Sequence, residues 1–174
     1  MGGWKVLPME MQAKIAEEAE NLQLLLVNKE LNSVMTMVPS YKVWLWRAQG
    51  VLLKAKTQRN LYGCEISSFL FEVPSIRSAI NANKELDPSQ KKSFCVRVDE
   101  AAYQLWRLDG LPLQARKKWN KKNQLSCAAD SWWQEKFQKH IQLGRLLLNG
   151  MAASPLCVEL QKRLPKLEKQ SWGF

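Results

Sequence analysis

The chain has 174 residues and a formal net charge of +10, and 46% of its residues are hydrophobic. That apolar fraction excludes an intrinsically disordered chain, because enough side chains are available to offset the entropy of ordering. The length suits one ordinary domain or two very small ones, and the charge means that polyanions and acidic surfaces attract the chain.

Leu, Lys, Gln, Glu and Ala dominate while Gly and Pro are sparse, so the expected fold class is all-α. The best strand candidate, "SFCVRVDE" at 93–100, is short. No apolar run approaches the roughly 20 residues that span a bilayer. No basic start leads into a long apolar core, so no signal peptide is expected. In "MGGWKV", Val6 stands where a myristoylation signal prefers Ser or Thr. The expected location is cytoplasmic and/or nuclear, with no membrane partner. Cys64, Cys95, Cys127 and Cys157 are evenly spread without a CxxC pair, and His140 is the sole histidine. Buried free thiols are therefore expected in place of a metal site, and a Cys127–His140 pair has no local support. Without a glycine-rich phosphate loop, no cofactor and no catalytic residue is assigned, and the chain reads as a non-enzyme.

In chain order, Pro8 after Leu7 suits the first position of a helix. Met11, Ile15, Ala16 and Ala19 share one face of it, with Glu17, Glu18 and Glu20 elsewhere. A break near Asn21 leads to a second helix, where Leu24, Val27, Leu31, Val34, Met35 and Val38 have the spacing of a buried stripe. Leu22, Leu25 and Leu26 widen that stripe beyond one face. Burying each such side chain is worth about 1.5–3 kcal/mol, so either the rest of the chain or a partner must cover them.

An internal repeat follows. "LWRAQGVLLKAK" at 45–56 recurs as "LWRLDGLPLQAR" at 105–116, and "NKEL" at 28–31 recurs at 83–86. "NLYGCEISSFLFE" (60–72) aligns with "NQLSCAADSWWQE" (123–135), Phe69 facing Trp132. In this order the matches indicate a duplicated unit of about 55–63 residues. Within it, Gly110 is expected to close a helix ending near Arg107–Leu108, and Pro112 to open the next. Gly50 would play the same part in the first copy. Leu45, Trp46, Leu105 and Trp106 would then be last-turn residues packing backwards, and the two copies would stack as helix–turn–helix pairs.

The densest basic run, "ARKKWNKKNQ" (115–124), sets Arg116, Lys117, Lys118, Lys121 and Lys122 around Trp119. It admits three readings: phosphate neutralisation with Trp119 stacking on a base, a nuclear import signal or acidic-protein contact, and a solvated helix end. In "SWWQEKFQKHIQLGRLLL" the apolar stripe comprises Trp133, Phe137, Ile141 and the stem of Arg145. Trp132 on its flank either contacts a partner or packs as its counterpart Phe69 would. A final amphipathic helix is expected from about Leu156 to Leu164, ended or kinked by Pro165.

"LPMEM…I…L.LLLVNKEL", followed by "LWR" at 45–47, resembles an F-box. The matching positions are Leu7, Pro8, Glu10, Met11, Ile15, Leu22, Leu25, Val27, Lys29, Leu31, Leu45 and Trp46. Two departures stand out: the gap from Ile15 to Val27 is shorter than usual, and Leu31 occupies the neighbourhood where the family often has Trp. The resemblance implies that residues 1–50 dock on the Skp adaptor of a cullin-based SCF ubiquitin ligase. Residues 51–174 would then form a duplicated helical region that captures a protein substrate, with Arg116, Lys117, Lys118, Trp119, Lys121, Lys122 and Trp132 as its contacts. On that view the leucine-rich helix is covered partly by the adaptor, entering an apolar groove. A small F-box protein of this kind is similar to virus-encoded members, which redirect host ligases. The rival is a basic helical nucleic-acid-binding protein whose first helices are merely core. "LYGCE" (61–65) lacks the alternation of an LxCxE peptide, and no cysteine has a Leu four residues before it, as an elongin-binding box requires.

Overall fold

The computed structural model describes residues 41–57, 64–126 and 130–170, and the segment carrying Leu7 to Leu31 lies outside them. The described residues form five helices and no strand: α1 (Tyr41–Thr57), α2 (Cys64–Ala82), α3 (Pro88–Lys122), α4 (Ser131–Leu148) and α5 (Pro155–Lys169). The fold is all-α, and the strand candidate at 93–100 is part of α3.

α3 is the spine, packing against each of the other four helices. Its start is specified by a capping box. The Gln90 backbone N–H donates to the Asp87 carboxylate at 2.8 Å, and the Asp87 N–H donates to the Gln90 side chain at 3.1 Å. Pro88 supplies the first helical residue, where its missing N–H costs nothing. With 35 residues, α3 runs about 52 Å. It ends when Gln124 takes a left-handed conformation (φ 55) and the Leu125 N–H reaches back to the Asn120 carbonyl at 2.8 Å.

The expected helix break at Gly110 and Pro112 does not occur. Both residues lie inside α3, as Gly50 lies inside α1. Val98, Ala102, Leu105, Asp109 and Leu113 are buried in one unbroken helical phase across the Gly–Pro step. A proline inside a helix costs about 3 kcal/mol, and burial on both sides of Pro112 offsets it. Gly110 is needed for close approach: a Cβ there would lie 2.9 Å from Nε2 of His140. Pro165 likewise sits within α5 and does not end it, so the tail helix is longer than expected.

One core joins all five helices through Leu70, Val73, Ile80, Val98, Leu105, Leu147 and Leu160, with Tyr41, Trp44 and Leu45 from α1. Two clasps recur in it. Trp44 donates its indole N–H to the Phe69 carbonyl (3.2 Å) across α1–α2, and Trp106 donates to the His140 carbonyl (2.9 Å) across α3–α4. In the sequence alignment Trp106 pairs with Trp46, but Trp46 is only half-buried, and Trp44 has the matching role. Neither Trp46 nor Trp106 is a last-turn residue, and the domain boundary drawn at residue 50 falls inside α1.

Arg77 of α2 pins the interior. Its guanidinium bonds Asp99 of α3 (2.6 Å) and the carbonyls of Leu147 (2.8 Å) and Asn149 (3.1 Å) at the end of α4. Those carbonyls lack intrahelical donors, so one side chain neutralises a carboxylate and caps a helix. Gly150 then turns the chain at φ +90, a conformation that side chains disfavour.

Candidate functional site

The end of α3 and the start of α4 meet in a tip. Arg116 lies with its guanidinium carbon 4.7 Å from the Trp119 ring centroid and 5.7 Å from that of Trp133. Its Nε and Nη2 donate to the two oxygens of Asp130, at 3.3 and 3.4 Å. Asn120, buried beneath, donates to the same carboxylate at 2.7 Å. The bonds from Asn120 and Arg116 hold the Asp130 carboxyl below its ordinary range. Asp130 thus gathers the C-terminal turns of α3 onto the first turn of α4.

The rings on this scaffold are exposed. Trp132 is 61% accessible and Trp119 49%. Trp132 and Trp133 pack edge to face at 4.7 Å, and the Lys136 ammonium sits 5.2 and 5.5 Å from their centroids. Lys117 lies over Phe137 at 5.0 Å, while Lys118, Lys121 and Lys122 are exposed. Lys121 and Lys122 occupy the last turn of α3, where the helix dipole favours positive charge. The arrangement is a ridge of aromatic faces interleaved with cations. It can stack on flat groups and attract anions, or anchor a protein contact through its tryptophans.

The predicted contact residues Arg116, Lys117, Trp119 and Trp132 therefore come together in space, with Lys118, Lys121 and Lys122 on the same end of α3. Arg116 differs from its expected part, being half-buried and bonded to Asp130 as a framework residue. The reading in which Trp132 packs like Phe69 is overturned: Phe69 is buried and Trp132 is the most exposed tryptophan among those described. Phe137 and Ile141 are buried as the stripe required, with Trp133 packed against them. Arg145 is exposed and pairs with Glu168 at 2.6 Å, so its stem adds little to that stripe. Lys136 and Asp130 escaped the sequence reading, although Lys136 stands one helical turn after Trp132 and Trp133.

Among the adaptor-docking residues, Leu7, Pro8, Glu10, Met11, Ile15, Leu22, Leu25, Val27, Lys29 and Leu31 lie outside the described residues. Leu45 is in the core at 4% exposure, so it faces its own chain. Trp46 lines an open groove of about 620 Å³ with Arg47, Leu53, Lys54 and Phe69.

A second polar cluster is buried. Nδ1 of His140 lies 2.7 Å from Oδ2 of Asp109, and the imidazole stacks on Trp106 with centroids 4.5 Å apart and planes 4° from parallel. His140 thus has a carboxylate and an indole as partners, and Cys127 lies outside the described residues. Burial, and next the neighbouring Asp99, push the Cys95 thiol up, which makes it a poor nucleophile. Among the described residues no group of three or more His, Cys, Asp or Glu is placed to hold a metal ion. No helix of those residues is long and apolar enough to cross a membrane. The chain matches no family model, and neither curated proteins nor solved structures yield a relative.

Proposed function

We propose that this chain is a non-enzymatic adaptor of the F-box type, acting in the cytoplasm or nucleus. Its leucine-rich N-terminal segment docks on the Skp adaptor of a cullin-based ubiquitin ligase. Its helical body captures a protein substrate through the Trp119–Trp132–Trp133 tip. The docking half of this reading is supported by the Leu7-Pro8 motif and the surplus of leucines after it. The capture half is carried by one observation: Trp132 and Trp119 stand exposed on a scaffold fixed by the Asp130 bonds. Exposed indoles held in place are the side chains from which binding hot spots are made, because little rotamer entropy is lost on contact.

The test is affinity capture from eukaryotic cells followed by mass spectrometry. The chain brings down the Skp adaptor, a cullin and at least one further protein. Leu7→Ala with Pro8→Ala removes adaptor and cullin but leaves the further protein bound. Trp132→Ala removes the further protein, with a loss of at least about 2 kcal/mol, or thirtyfold in affinity, and keeps the adaptor. Retention of the adaptor by a folded Leu7/Pro8 double variant sinks the assignment.

The interleaving of cations with open aromatic faces favours a second reading, in which the tip grips single-stranded nucleic acid. Binding to RNA would then weaken steeply with salt. Neutralising Lys117, Lys118, Lys121 and Lys122 would reduce the log–log slope by about 3. A salt-independent signal excludes this reading.

A further inference from the structure

Beside the tip, and sharing Lys117 and Phe137 with it, a cleft of about 270 Å³ opens between α3, α4 and α5. Its walls include the apolar surfaces of Trp106, Phe137 and Leu167, and four cations line it: Arg107, Lys117, Arg163 and Lys166. No carboxylate is among the lining residues. Arg163 is bonded to Glu159 one turn away and Arg107 feels the same carboxylate without a direct salt bridge, so one carboxylate at the margin answers four cations. His140 also lines the cleft: Asp109 holds Nδ1, and Nε2 is turned toward Gly110. Glycine at 110 opens this space, since a Cβ there would press on the imidazole.

We propose that this cleft binds a small amphiphilic carboxylate, its aliphatic chain against Trp106, Phe137 and Leu167 and its anionic end toward Arg107 and Lys166. Charge and volume select that chemistry. Cations grouped around an apolar hollow repel one another, and an anion that also fills the hollow relieves the repulsion and removes apolar surface from water. The volume lies just below the roughly 300–1,000 Å³ of most small-molecule pockets, which suits a short chain and not a polymer. A polyanion would gain nothing from the greasy walls, and a long neutral lipid would leave the cations unanswered.

Octanoate titrated into the full chain is the direct test, followed by calorimetry and by the indole N–H resonance of Trp106. Saturable one-site binding that shifts Trp106 more than Trp119 or Trp132 is expected. Butanoate, with four fewer buried methylenes, should bind roughly two orders of magnitude more weakly. Octan-1-ol, of the same chain length but uncharged, should bind at least tenfold more weakly. Arg107→Gln with Lys166→Gln changes only exposed side chains; it should weaken octanoate at least tenfold, leave octanol unaffected and preserve the Trp106 resonance. The proposal is overturned by octanol binding as tightly as octanoate, by undiminished octanoate binding in the double variant, or by no saturation at millimolar octanoate. Preferential binding of an acidic leucine-containing peptide would also overturn it, by reassigning the cleft to a protein partner.

Discussion

The Gly50→Ala and Gly110→Ala pair separates helix propensity from packing. Both glycines lie inside helices, so alanine gains about 1 kcal/mol at each from restricting the unfolded chain and from its higher propensity. At Gly50 nothing lies within 4 Å of the added Cβ, and that gain stands alone. At Gly110 the Cβ meets Nε2 of His140 at 2.9 Å and Cε1 at 3.1 Å. The imidazole cannot step aside without leaving Asp109 at 2.7 Å or sliding off the Trp106 ring at 4.5 Å. Overpacking of this kind costs about 1–3 kcal/mol, so Gly110→Ala is neutral to destabilising by about 2 kcal/mol once the propensity gain is set against it. For a chain of this size each kcal/mol moves the thermal midpoint by about 2–4 °C. Gly50→Ala should therefore raise the midpoint and Gly110→Ala should leave it unchanged or lower it, with urea midpoints moving in parallel. If Gly110→Ala stabilises as much as Gly50→Ala, the contact between His140 and α3 is wrong. A Gly50→Ala variant that loses stability would mean that Gly50 ends a helix in the left-handed conformation.

Arg77→Met should cost about 3–5 kcal/mol in urea unfolding, because Asp99 is left buried without its counter-ion. Adding Asp99→Asn should recover much of that, and a double variant no better than the single one refutes the pairing. Acid stability should show opposing contributions. The Asp130 carboxyl titrates below its ordinary 3.8 because Asn120 and Arg116 bond its charged form, so its contribution is present above that value and is lost as pH falls through the folded one. Asp130→Asn should flatten the acid limb of the stability curve. Asp99 runs the other way: burial raises its pKa despite Arg77, so its contribution is complete below 3.8 and declines as pH rises through the folded value. Trp132→Ala, at an exposed position, should change stability by less than about 0.5 kcal/mol, and a larger loss would place its ring in the core.

Composition alone determined the all-α class, since helix-forming residues dominate and turn formers are few. Periodicity determined the buried face of α4 at Phe137 and Ile141, while it left Trp132 open between a partner contact and packing like Phe69. These are local properties, set within a turn or two of the residue concerned. What the sequence could not decide is whether Gly110 and Pro112 stop a helix. Each is a helix breaker locally, yet the burial phase of Val98, Ala102, Leu105, Asp109 and Leu113 runs through them, and the deciding contact comes from His140, 30 residues away. The same holds for Arg77, whose partners lie 22, 70 and 72 residues along the chain. The cleft likewise draws two cations from α3 and two from α5. Propensity acts between neighbours along the chain, whereas close approach, buried charge pairing and cavity shape depend on which helices meet, and only the tertiary structure brings those residues together.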